Sequence, residues 1–140
     1  MAKTGKKTVD QADEYLTAGM ELRNWAAWMF NLRSAVPSAQ PGSYAKIVRI
    51  EHDYPDFERK TNINADVDRA EICEYLITQN CSRRDIWVFL CSFYFEWPNS
   101  RSVEFMKSKG YDCNRNTYPA MLDAAQARLE GVYQRALQGC

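Results

Sequence analysis

Apolar side chains recur along this chain at alternating spacings of three and four residues, and no other feature limits the fold as strongly. Such a spacing lines side chains along one stripe of an α-helix, whereas a half-buried strand alternates every second residue. Tyr15, Ala18, Leu22, Trp25, Met29 and Leu32 make one stripe. Val67, Ile72, Cys73, Leu76 and Ile77 make a second, and Ile86, Phe89, Leu90, Phe93 and Trp97 a third. Val103 and Met106 give a short fourth; Tyr118, Met121, Leu122, Ala125, Leu129, Val132, Tyr133 and Ala136 give a fifth. The expectation is a small all-α domain of about five helices.

Breakers and caps divide the stripes. Residues 1–8 read as a flexible basic arm. Thr8-Val9-Asp10-Gln11 fits a capping box and opens an N-terminal helix over 9–35. Gly19 costs that helix about 1 kcal/mol relative to alanine. Pro37, Pro41-Gly42 and Pro55 then mark 36–63 as a long irregular connection, with Tyr44–Ile50 a loop or extended segment. Residues 64–140 form the main helical domain, with Asn64 as the cap of its first helix. Ser82-Arg83-Arg84-Asp85 opens the next helix, which spans 82–97 and stops at Pro98-Asn99. A short helix over 100–109 closes on Gly110, suited to a left-handed C-cap. Pro119 belongs in the first turn of the last helix, because its ring clashes with the carbonyl four residues earlier, and Asn116 is the expected cap.

Composition excludes several classes. With 46% apolar residues the chain has no apolar run near the roughly 20 residues of a membrane-spanning helix. Met1-Ala2-Lys3-Thr4-Gly5-Lys6-Lys7 is basic with no apolar signal core behind it, so a cytoplasmic protein is expected. Cys73, Cys81, Cys91, Cys113 and Cys140 lack the close pairs of zinc sites, and Cys73 reads as a small packed hydrophobe. His52 has no companion ligand and reads as a loop residue. Glu71 and Glu74 share a helix face, without a histidine or second carboxylate pair beside them, and read as solvated. No phosphate loop, nucleophile elbow or metal-ligand pair is present, so neither enzyme activity nor a metal or other cofactor is expected.

The last three stripes form a constellation: a long apolar helix, a short helix, then a long helix entered through Gly110-Tyr111-Asp112-Cys113-Asn114-Arg115. That is the order of a helix-turn-helix, whose second helix places its N-terminal residues in the major groove of DNA. Asn114, Arg115, Asn116, Thr117 and Tyr118 stand at that entry; arginine can pair with guanine and asparagine with adenine. Ser100, Arg101, Ser102, Lys107 and Lys109 are placed to hold phosphates. The chain carries no net charge, but residues 99–117 hold four basic against two acidic side chains, while 65–98 hold three against six. The same pattern also occurs in helical bundles that bind no nucleic acid.

Asn114-Arg115-Asn116-Thr117-Tyr118, followed by Met121-Leu122-Asp123-Ala124-Ala125 and Leu129, resembles the region 4 helix-turn-helix of sigma factors, and more specifically the antitermination protein Q family of lambdoid phages. Leu22-Arg23-Asn24-Trp25-Ala26-Ala27-Trp28 is similar to that family's N-terminal Leu-x-x-Trp-Gly-x-Trp segment, with Ala26 where the family tends to have glycine. Asp66–Leu76 and Arg84–Phe95 extend the likeness; the middle connection is unmatched, and the turn after Gly110 is longer than the family's. The resemblance implies a late-gene transcription antiterminator that binds a promoter-proximal element in double-stranded DNA. It would load onto a sigma-containing host RNA polymerase holoenzyme and carry it through pauses and terminators. It makes Lys46, Arg49, Tyr54, Phe57 and Arg59 candidate polymerase contacts. An operator-binding repressor or activator, and a phage protein that inhibits a host factor without touching DNA, are the alternatives.

Overall fold

The computed structural model describes residues 17–33 and 64–138. Among them the chain is all-α, with five helices and no strand. The arm, the Thr8 capping box, the 36–63 connection and its polymerase-contact candidates Lys46, Arg49, Tyr54, Phe57 and Arg59 lie outside the described residues.

Helix α1 (Ala18–Arg33) begins later than the stripe implied. Thr17 is not helical, and its hydroxyl accepts a hydrogen bond from the Met20 amide at 3.3 Å, capping the helix there. Ala18, Leu22, Trp25 and Met29 are buried, as the spacing required. Helix α2 (Val67–Asn80) is capped by Asp66, not Asn64: the Asp66 carboxylate accepts from the Arg69 amide at 3.2 Å. A tertiary clamp selects that residue. Asn24 of α1 accepts from the Asp66 amide at 2.7 Å and donates to its carbonyl at 2.9 Å.

The buried face of α2 is Ala70, Cys73, Glu74, Leu76 and Ile77, leaving Val67 and Ile72 more than half exposed. Cys73, Leu76 and Ile77 are placed as the stripe expected, whereas the helix turns Val67 and Ile72 to the surface. Ala70 and Cys73 contribute little hydrophobicity, but their small size suits close packing against α1. Glu74 is also buried, not solvated, and its Oε1 accepts a 3.0 Å bond from the Trp25 indole. Glu21, buried on α1, pairs with Arg69.

Helix α3 (Arg83–Phe89) opens on Ser82, whose hydroxyl accepts from the Asp85 amide at 3.1 Å. The expected single helix over 82–97 instead widens into a π-helical turn at Leu90–Tyr94. Phe95 donates to the Leu90 carbonyl, Trp97 to that of Cys91, and Glu96 between them has φ 54°. This unwinding lets Tyr94, Phe95 and Trp97 stack, with successive ring centroids 4.8 Å apart.

Helix α4 (Asn99–Ser108) buries Val103 and Met106 as expected, together with Phe105. It ends in a Schellman motif: Tyr111 donates to the Met106 carbonyl and Gly110 to that of Lys107, with Gly110 at φ 91°. Helix α5 (Tyr118–Gln138) buries Tyr118, Ala125, Leu129, Val132 and Tyr133 and packs against each of the other four.

Candidate nucleic-acid interface

The candidate interface comprises α4, the turn from Lys109 to Thr117, and the start of α5. Its geometry follows from how the turn feeds α5. Asn114 Oδ1 accepts from the amides of Asn116 at 2.8 Å and Thr117 at 2.9 Å, and Thr117 Oγ1 accepts from the Asn114 amide at 2.8 Å. These reciprocal bonds make a capping box two residues earlier than the expected cap at Asn116. Pro119 has no N–H to offer the Arg115 carbonyl, so the regular helix is counted only from Tyr118. The cap leaves Arg115, Asn116 and Thr117 exposed on the turn that leads into α5. Asn114 is exposed too, but its oxygen is occupied by the cap.

Two expected DNA contacts are in the core. Ser102 and Tyr118 have no exposed surface. The Tyr118 hydroxyl lies 2.8 Å from Ser92 Oγ, on the π-helical turn, and 3.5 Å from the Val88 carbonyl. Burial pushes the phenol up to about 12, against the hydrogen bonds of Ser92 and Ser102. Tyr118 anchors α5 to α3, because a tyrosine directly after a polar cap supplies the first large apolar surface of the helix.

The remaining candidates share the outer surface. Ser100, Lys107 and Lys109 are exposed and Arg101 is half-buried. The Arg101 guanidinium stands 5.0 Å from the Trp97 ring centroid; Lys109 Nζ stands 5.2 Å from that of Trp87 and 5.5 Å from that of Phe105. Of the rings beneath these cations, the sequence places Trp97 on an apolar stripe and singles out neither Trp87 nor Phe105, although the spacing of Trp97, Arg101, Phe105 and Lys109 by four residues each is a readable signal.

A second unread element sets the angle of α5. Asp85, buried, accepts from Arg128 Nε at 2.9 Å and Nη2 at 2.8 Å. This bidentate pair ties α3 to the middle of α5, and the Asp85 hydrogen bond, the main cause, raises the Arg128 pKa further. Among the described residues no cluster of histidine, cysteine and carboxylate groups could hold a metal, and no helix is long and apolar enough to cross a membrane.

The chain matches no family model, no curated protein and no solved structure. Fold and surface together define the class: a small all-α domain that exposes basic side chains on a short helix and a polar entry to the helix that follows it.

Proposed function

We propose that this chain is a DNA-binding transcription regulator, and within that class a phage late-gene antiterminator. The observation that carries the reading is the exposure of Arg115, Asn116 and Thr117 at the entry of α5, beside exposed Lys107 and Lys109 on the shorter α4 and its cap. Arg115 and Asn116 supply forked polar groups for base edges, and the lysines supply charge for phosphates. The resemblance of the 114–129 segment to the antitermination protein Q family supplies the rest: a promoter-proximal duplex element, the sigma-containing RNA polymerase holoenzyme of a bacterial host as partner, and action in that host's cytoplasm. The chain then works by binding alone, with no catalysis of its own.

Footprinting on promoter-proximal DNA tests the binding step. A protected element that Arg115→Ala loses is expected; no protection at any site would sink the reading as a sequence-specific regulator. Readthrough of a terminator by purified polymerase tests the second step, and unchanged readthrough despite DNA binding would leave an operator-binding repressor or activator. One observation favours inhibition of a host protein instead: Val67, Ile72 and Tyr75 are more than half exposed on α2.

A further inference from the structure

Trp97, Arg101, Phe105 and Lys109 follow one another at four-residue spacing, so the cations and rings alternate along one stripe of α4 and its two flanks. The rings touch: Trp97 and Phe105 lie 5.7 Å apart, and Phe105 and Trp87 5.4 Å, between centroids. Each cation sits over a ring face, an arrangement in which the ring quadrupole holds positive charge in place at the surface. Eight residues separate the two cations, about 12 Å along a helix, the same size as the width of the major groove.

Ring faces available to a base decide what such a surface can bind. Proteins that take single strands do so by stacking bases on open aromatic faces. Here Trp97 has Phe95 stacked on it and Arg101 over it, and Trp87 and Phe105 are buried. The surface therefore offers charge and no stacking platform. Duplex DNA carries the denser line of phosphates.

We infer that this stripe is a binding ridge for the phosphodiester backbone of duplex nucleic acid, in which Arg101 and Lys109 take phosphates and Trp97, Trp87 and Phe105 position them. The inference rests on the DNA-binding reading and adds how that site tells a duplex from a single strand.

The test titrates the full chain, by fluorescence anisotropy, against a duplex, a single strand of equal length and long-chain inorganic polyphosphate, which has no bases. The duplex is bound more tightly than the single strand, and polyphosphate is bound. Each of Arg101→Gln and Lys109→Gln removes one phosphate contact, so the affinity lost over a fourfold rise in salt shrinks by about 3.5-fold per substitution. Trp97→Leu weakens duplex and polyphosphate binding several-fold, while Trp97→Phe, which keeps a ring under the guanidinium, restores it; circular dichroism checks that both variants are folded. Tighter binding of the single strand, abolished by Trp97→Leu, would mean base stacking and overturn the ridge. So would a double Arg101→Gln/Lys109→Gln variant with unchanged salt dependence and polyphosphate binding, even if Arg115→Ala still erased a footprint. Conversely, loss of polyphosphate binding in that double variant, with no footprint on any DNA, would uphold the ridge and reject the regulator.

Discussion

A carboxylate can be held away from water only where donors replace the water it gives up, and Glu74 meets that condition through a residue on another helix. The Trp25 indole donates to it at 3.0 Å, and both residues are buried. Trp25→Phe keeps most of the ring volume and removes the donor, so the buried carboxylate loses that hydrogen bond without water to replace it. The expected loss is about 1–3 kcal/mol, read as a lower urea midpoint at constant slope. Trp25→Phe should cost less in a Glu74→Leu background than in the wild type, because the indole then has no carboxylate to serve; equal costs would mean that the ring's packing, and not the hydrogen bond, carried the effect. Gly19 shows the opposite balance. A Cβ there would meet Gln126 Oε1 at 3.3 Å, the movable end of a side chain, while the helix gains up to about 1 kcal/mol from alanine. Gly19→Ala should therefore leave the midpoint unchanged or raise it.

Among elements, the turn between α4 and α5 separates structural from recognition roles. Asn114→Ala removes the acceptor for two amides and should cost about 1 kcal/mol, while Asn114→Asp, which caps as well, should unfold near the wild-type midpoint. If the aspartate variant also keeps the footprint, Asn114 is a cap and the base readers are Arg115 and Asn116. Gly110→Ala faces open space around the new Cβ, so its expected loss of about 1 kcal/mol is backbone strain at φ 91° alone. The polar run before Pro119 marked the entry of α5, with the cap expected at Asn116 and found at Asn114, where Thr117 returns the bond. The glycine after a short helix and the serine at 82 before an apolar stripe were legible because their chemistry is local. The cap of α2 was not, since Asn24 selects Asp66 from 42 residues away. Nor was the π-helical turn, which local propensity does not favour and which depends on the ring stack it permits. For the site, sequence located the exposed entry of α5 and the basic side chains of α4. It also placed Ser102 and Tyr118 on the surface, because a serine and a tyrosine beside a polar cap read as polar until the burial of their helix faces is known.

At the scale of the whole molecule, α5 is the common partner of the other helices, tied to α1 by Glu130 accepting from the Ala18 amide at 3.1 Å and to α3 by Arg128 and Asp85. The core it completes encloses several acids in their protonated form. Burial raises the thiols of Cys73, Cys91 and Cys113, takes Cys81 from 9.0 to about 11, and takes the Tyr118 phenol from 10.0 to about 12. In the unfolded chain the thiols ionise near pH 9 and the phenol near pH 10. Above about pH 9 the folded state therefore binds more protons than the unfolded state, and the linkage relation makes stability fall as pH rises. Below that point both states are protonated, and the contribution is fully present and flat. Urea midpoints should accordingly hold steady from neutral pH to about pH 9 and then decline progressively toward pH 11. Cys81→Ser should make the decline shallower without moving its onset. A midpoint indifferent to pH across that window would mean that these groups ionise in the folded chain as easily as in the unfolded one, and that the core around Tyr118 and Cys91 is open to water.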